Sequence, residues 1–283
     1  MRIVITGATG FIGTHLTSAL REAGHEIVTL GRNHSQSDAA QAFEGAGAVV
    51  HLAGEPVAQR WSPEVKQRIR DSRVLGTEKL IQGLSITRSR PPAFICGSAV
   101  GYYGDRGDEI LTESSAPGTG FLPDVCREWE EKADLAASLG MRVATVRTGI
   151  VLGPDGGALK QMLTPFKAGV GGRLGSGRQW MPWIHIDDIA GIFRHAIEAP
   201  VTGPLNGCSP NPVTNADFTA ALGRALHRPT VMPVPKFALS LLFGEMAEVL
   251  LGGQRVLPKA TQESGYKFQY PNLPEALTQL NLT

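Results

Sequence analysis

Residues 2–13 read RIVITGATGFIG. Arg2 to Thr6 is a short β-branched run, which predicts a strand. Gly7, Gly10 and Gly13 follow at GxxGxxG spacing, apolar residues then recur at helical spacing from Thr14 to Ala23, and Gly24 closes that run. A glycine triplet gains a physical meaning in the order strand, turn, helix. Gly7 permits the tight turn, Gly10 lets backbone N–H groups approach a pyrophosphate, and Gly13 lets the helix pack closely on the strand. The helix N-terminus adds its dipole and unpaired donors. A merely tight turn has no need of all three. The phosphate-binding residues expected here are Gly7, Thr9, Gly10, Phe11, Ile12 and Gly13.

Outward from this turn, strands and helices alternate. Strands are expected at Glu26–Leu30, Ala48–Ala53, Ala93–Cys96 and Arg142–Arg147, with helices over Glu64–Leu84 and Asp124–Ser138. This alternation implies an α/β fold, a Rossmann-type doubly wound parallel sheet covered on both faces. After Gly153 the pattern changes to a glycine-dense stretch, Gly153–Gly177, around one helix, Ala158–Ala168. Beyond it come a strand over Pro182–Asp188, a helix over Ile189–Glu198 and a short strand at Leu205–Cys208. Helices at Asn215–Leu226 and Lys236–Leu251 flank a strand-like Thr230–Pro235, and Gly265–Phe268 reads as an edge piece. The expected organisation is a dinucleotide-binding domain, 1–152, with a return near 182–208. A smaller C-terminal α+β substrate lobe comprises 153–181 and 209–283.

Composition narrows the function. The chain has 34 glycines among 283 residues, above the usual ~7%. With 42% hydrophobic residues and no Gly-X-Y period, the excess belongs to turns and close approaches, not to disorder or collagen. A net charge of +1 gives no footprint for nucleic acid or an acidic membrane surface. The apolar run Phe237–Leu251 is interrupted by Gly244, Glu245 and Glu248 and does not read as a membrane span. The chain opens directly on a strand, leaving no room for a signal peptide. Cys96, Cys126 and Cys208 form an odd, scattered set without a CxxC pair. That argues against a disulfide framework or a zinc site and for a reducing, cytoplasmic setting.

The end of the second predicted strand bears on the cofactor. An NAD site places Asp or Glu there for the ribose 2′-OH. Here the strand ends Leu30-Gly31-Arg32-Asn33, with no carboxylate. Arg32, with Asn33 beside it, suits a 2′-phosphate, which favours NADP(H) over NAD(H).

These residues resemble the short-chain dehydrogenase/reductase superfamily in its extended, epimerase-like branch. TGATGFIG at 6–13 is similar to that branch's opening motif. His51-Leu52-Ala53-Gly54 resembles its Asn-Ala-Ala-Gly element beside the adenine or ribose, and Val74-Leu75-Gly76-Thr77 its Val-x-Gly-Thr helix. Gly97-Ser98 through Tyr103-Gly104 resembles the catalytic-serine strand, and Arg147 through Gly153-Pro154 the Arg-x-x-x-x-x-Gly-Pro segment. Trp183-Ile-His-Ile-Asp187-Asp188 resembles a later strand–helix junction. The stretch 172–188 is similar to an atypical subgroup of largely unknown function. The resemblance implies a sugar-nucleotide class of substrate.

The branch's chemistry needs a tyrosine about two dozen residues past the serine, and a lysine four residues further on. From Ser98 those positions fall on Leu122 and Cys126, and no Tyr-x-x-x-Lys occurs in the chain. Arg73 replaces the helix asparagine. The atypical subgroup resembles this chain in both replacements, which places Arg73 and Cys126 beside the cofactor. Ser98 remains to orient a substrate oxygen, and Tyr102 or Tyr103 is a candidate proton carrier. Cys126, Trp129 and Glu130 share one face of a predicted helix, making Glu130 a second candidate. Arg73 is expected to hold an anionic group or pair with Glu130. Arg173, Arg178 and Trp180 in the glycine-rich stretch suit a phosphate or carboxylate of the substrate. His185 is a weaker substrate contact, with Asp187 or Asp188 expected to cap the following helix. Two functions follow. The first is an NADP(H)-dependent oxidoreductase or epimerase-like enzyme acting on a small carbonyl or sugar-nucleotide-like molecule. The second is a binding protein that senses NADPH and signals to a protein partner; a homodimer fits either.

Overall fold

The structure is a computed structural model and describes residues 1–282. In chain order the first half contains β1 (Arg2–Thr6), α1 (Phe11–Glu22), β2 (Glu26–Leu30), α2 (Gln36–Phe43), β3 (Ala48–His51), α3 (Pro63–Ile86), β4 (Ala93–Ala99), β5 (Ile110–Leu111), α4 (Phe121–Asp134) and β6 (Arg142–Thr148). The second half contains β7 (Ile150–Leu152), α5 (Gly157–Lys167), β8 (Trp180–Met181), β9 (Trp183–His185), α6 (Ile186–Glu198), β10 (Gly203–Gly207), β11 (Val213–Thr214) and α7 (Asn215–Ala225). It ends with α8 (Lys236–Phe243), α9 (Met246–Leu251), β12 (Arg255–Val256), α10 (Lys259–Glu263) and α11 (Leu273–Gln279).

Six parallel strands form the central sheet, in the order β10-β6-β4-β3-β1-β2. Both faces are buried, so successive strand residues serve opposite cores. Ile3 and Ile5 join Leu16, Leu20, Ile189 and Phe193 under α1 and α6. Val4, between them, joins Phe43, Leu80, Leu84 and Trp129 under α2, α3 and α4. The chain leaves β1 for β2 on one side and later returns to β3 on the other. That reversal opens a crevice at the strands' carboxyl ends, where ligands bind in such sheets.

Several boundaries differ from the sequence expectation. Helix α1 starts at Phe11, inside the glycine turn, because Gly10 already serves as its N-cap. The third strand stops at His51 and the fourth runs on to Ala99. Helix α4 spans Phe121–Asp134, and its expected continuation is a short 3-10 turn at Ala137–Leu139. Helix α2 had no predicted counterpart. Its core face is small, Ala39 and Phe43, yet Ser35 and Asp38 form a capping box at its start. The Lys236–Leu251 run breaks into α8 and α9 at Gly244, whose φ is +60°. Thr230–Pro235 makes only a single bridge, Val234 with Leu174, and Gly265–Phe268 forms no strand. There Tyr266 instead donates its hydroxyl to Asp188.

The second glycine cluster divides into two parts with different tasks. Gly153, Gly156 and Gly157 all lie against the Phe11 ring, and a Cβ on Gly153 or Gly157 would come within 2.7 Å or 2.8 Å of it. His15, one turn after Phe11 on α1, reaches Asp155 in the same loop at 3.0 Å. The loop 153–157 is thus a socket for the first residue of α1. The later glycines face their own lobe: Gly171 lies against Phe166 and Gly172 against Met232.

Candidate functional site: a dinucleotide cradle beside a buried serine–glutamate–arginine cluster

The phosphate turn is built from close backbone approaches. Gly7 has φ +74°, and a Cβ there would lie 2.7 Å from the Ala53 nitrogen. A Cβ on Gly13 would collide with the Gly7 carbonyl oxygen, so helix and turn touch backbone to backbone. Gly10 donates to Gly7 at 3.0 Å. It caps α1 without a side chain, and the first turn carries no acidic residue. The leading N–H groups of α1 therefore face outward, beside exposed Thr9, as donors for an anion. A dinucleotide pyrophosphate fits this turn, because a side chain at Gly7 or Gly13 would strike backbone and force apart the strand, turn and helix that present those N–H groups.

A second concavity lies between the β2 end and α3. A cleft of about 160 Å³ there is bordered by Thr6, Arg32, His34, His51, Gly54 and Lys79, among others. His51 closes its floor. Its Nδ1 meets the Thr6 hydroxyl at 2.6 Å, while its Nε2 is buried without a partner. Burial, with the nearby Arg73 charge, pushes His51 down to about 3, so the imidazole is neutral. Gly54 lies under the Arg73 guanidinium.

Arg73 does not pair with Glu130. It donates to the Glu55 and Ile69 carbonyls at 3.0 and 3.1 Å and lies over the Trp129 ring, 5.1 Å from its centroid. Glu130 belongs instead to Arg147, on β6. Arg147 Nε and Nη2 grip the two carboxylate oxygens at 2.9 and 2.7 Å. Ser98, near the end of β4, donates to the same carboxylate at 2.6 Å. Arg147 also donates to the Tyr103 hydroxyl at 3.0 Å and to the Glu113 carbonyl at 3.2 Å. The Tyr103 hydroxyl in turn donates to Asn206 Oδ1 at 2.7 Å. The Arg147 side chain is 4% exposed and that of Glu130 12%, so the bidentate pair is largely desolvated.

This network sorts the tyrosines. Tyr103 is fully buried, and desolvation raises its pKa. It is a strut of the network and has no route to a substrate, which corrects its candidacy as proton carrier. Tyr102 is half-buried, with Arg147 stacked 3.5 Å from its ring centroid. Sequence reasoning gave Arg147 no role, although a charged residue in a strand covered on both faces demands a buried partner. Glu113 and Asn206 were also missed. Glu113 accepts from the Asn206, Ala260 and Thr261 backbone N–H groups at 2.9–3.3 Å, tying α10 to β10.

Cys126 is buried beside the Ala99 backbone and close to Glu130. Burial, then the Glu130 charge, pushes its thiol up to about 12. Cys96 and Cys208 are buried as well, and both are raised by desolvation. The native protein should therefore show no thiol reacting with a maleimide at neutral pH within minutes. All three should react once it is unfolded. Fast native labelling of Cys126 would contradict this reading.

Residues 3–207 match the NAD dependent epimerase/dehydratase family, and residues 234–280 match a domain of unknown function, DUF1731. The chain belongs to the NAD dependent epimerase/dehydratase family. An Arabidopsis thaliana relative, the chloroplastic SDR39U1 homolog, is 42% identical over 98% of this chain and 86% of its own length. The Homo sapiens epimerase family protein SDR39U1 is 38% identical over 99% of both. The crystal structure of human SDR39U1 (isoform2) with NADPH superposes with a TM-score of 0.92, at 35% identity over 99% of each chain. The atypical epimerase-like resemblance and the Rossmann-type fold are thus both established. Among the described residues, no helix is long and apolar enough to cross a membrane.

The second lobe of this epimerase-family chain holds the remaining candidates. Arg173 and Arg178 are exposed, and neither is linked to the Ser98 cluster by a hydrogen bond. Trp180 is anchored by its Nε1–H to Asp108 at 2.7 Å, with Arg255 stacked on its ring. His185 is 1% exposed and caps α6 itself: its Nδ1 accepts from the Asp187 N–H at 3.1 Å. The expected Asp187 or Asp188 cap is thereby corrected. Asp188 is fully buried and holds the C-terminal segment, accepting from the Gln269 and Tyr270 N–H groups at 2.8 and 2.9 Å.

Proposed function

We propose that this chain binds NADP(H) and acts as an oxidoreductase or epimerase-like enzyme on a carbonyl or carbinol carbon of a small substrate. The observation that carries the reading is the Ser98 hydroxyl donating to Glu130 at 2.6 Å, at the carboxyl edge of the sheet where ligands gather. The cradle of Gly7, Gly10 and Gly13 would hold the pyrophosphate, Arg32 the 2′-phosphate and Gly54 the adenosine side. NADPH in the crystal structure of the human relative supports the choice of cofactor. Bound NADP(H) would supply or take up the hydride.

The residues of this chain would manage the oxygen and its proton. Ser98 orients the substrate oxygen. When a carbinol is oxidised, its proton passes to Ser98 Oγ as the serine proton passes to Glu130. Arg147 fixes the carboxylate in both oxygens, so the acceptor stays aimed at the serine. Tyr102 backs the guanidinium from its other face. Serine and carboxylate thus take the part that tyrosine and lysine play elsewhere in the superfamily, and Arg73, which has no carboxylate partner among the described residues, is available to an anionic group. A sugar-nucleotide-like substrate is the class the family suggests.

NADPH oxidation across a panel of carbonyl metabolites tests this. Turnover with one of them should fall roughly 10²–10⁴-fold in Ser98→Ala and in Glu130→Gln, with NADPH affinity unchanged. If the wild type binds NADPH tightly, turns over nothing and retains a partner protein on pull-down, it is a sensor instead. The missing Tyr-x-x-x-Lys pair is the observation that favours that second reading.

A further inference from the structure

We infer that Lys79, on α3, is the second cation of the 2′-phosphate seat and that it, together with Arg32, sets the preference for NADP(H) over NAD(H). The inference rests on the proposed cofactor and names a residue toward it that the sequence motifs do not reach.

Three observations converge on Lys79. First, the adenosine-end cleft has two walls. Gly31, Arg32 and His34 follow β2 on one side; Ser72, Gly76 and Lys79 line the other. Ser72, Gly76 and Lys79 stand at i, i+4 and i+7, so they form one stripe of α3. Gly76 leaves the middle of that stripe bare, since a Cβ there would meet nothing nearer than 4.0 Å. Second, the cations are uncommitted. Neither Arg32 nor Lys79 has a carboxylate within 4 Å among the described residues. Asp38, the acid at the start of α2, is engaged by the Ser35 cap. Third, the His34 ring is fixed to the Gly31 carbonyl at 2.6 Å, and its Nε2 is buried without a partner.

A lone exposed arginine confers little selectivity, because water screens it and its side chain pays to be ordered. Arg32 is exposed. Lys79 is half-buried and springs from a helix that packs against α2, so its stem is already confined. A dianion between the two would be held from opposite walls. A 2′-hydroxyl in the same place would leave Arg32 without a counter-charge and Lys79 with only the nearby Asp38, whose carboxylate is already held by the Ser35 cap.

The test is equilibrium binding of NADPH and of NADH, read by cofactor fluorescence, to wild type, Lys79→Met, Lys79→Arg and Arg32→Met. Competition by 2′-AMP and 5′-AMP is measured alongside. Lys79→Met should weaken NADPH by roughly ten- to a hundredfold, the usual worth of a charge-assisted contact, and leave NADH unchanged. Lys79→Arg should keep most of the preference, and 2′-AMP should lose its advantage over 5′-AMP in Lys79→Met. Equal losses for both cofactors, or no loss for NADPH, would overturn the assignment to Lys79 while leaving the cofactor reading intact. A wild type that prefers NADH would overturn both.

Discussion

Arg147→Met should lower the unfolding free energy by roughly 3–5 kcal/mol, the usual cost of leaving one member of a buried ion pair behind. Methionine matches the aliphatic stem and fits a largely apolar strand, so lost packing contributes little. What is lost is the bidentate grip on Glu130, whose carboxylate then keeps only the Ser98 hydroxyl. Tyr103 also loses a donor, and the Glu113 carbonyl another. Urea unfolding of Arg147→Met, Glu130→Met and the double variant would separate these contributions. The double variant should be more stable than Arg147→Met alone, because it removes the stranded charge. A single variant within about 1 kcal/mol of wild type would mean that Glu130 is hydrated and that the cluster is looser than its distances indicate.

Gly13→Val should abolish NADPH binding in practice, weakening it on the order of a hundredfold or more, equivalent to two or so lost charge-assisted hydrogen bonds. The new Cβ would collide with the Gly7 carbonyl and lie 2.9 Å from the Ala8 backbone. Relief requires the turn and α1 to part, which carries the outward N–H groups away from the phosphates. Gly24→Ala is the matched control. Gly24 has φ +79° but nothing within 4 Å of a Cβ, so it should lose a little stability and keep its affinity. Equal NADPH affinities in the two variants would refute the cradle. Far-ultraviolet circular dichroism on both distinguishes a moved turn from an unfolded chain.

The phosphate turn and the sheet were legible because their signals are local. Strand, glycine triplet and helix lie within the first two dozen residues, and β1, β3, β4 and β6 announce themselves by buried, largely apolar runs. The Ser98–Glu130–Arg147 cluster is different in kind. Glu130 and Arg147 come from α4 and β6, and only the meeting of those two elements pairs them. Two signals for it were nonetheless present. An arginine inside a doubly covered strand needs a buried acid, and Glu130 was already placed on the face shared with Cys126. Of the two expectations for Arg73, the pairing with Glu130 fails although α3 and α4 pack on one face of the sheet, because the guanidinium turns to the Glu55 and Ile69 carbonyls and the Trp129 ring. Helix α2 was hidden by its thin apolar face, although Ser35 and Asp38 carry its capping signature. Lys79 could be recognised only once α3 was laid beside the end of β2.

The Phe11 socket bears on how such proteins can be recombined. A boundary near residue 152 is the obvious place to exchange one C-terminal half for another. Yet the loop just beyond it is moulded around the first side chain of α1, and His15 is joined to it through Asp155. A donor lobe with larger residues at 153, 156 or 157 would push Phe11 outward and spoil nucleotide affinity, however well it suited its own ligand. The transferable module therefore begins after Gly157, and the loop before it should be inherited with the N-terminal half.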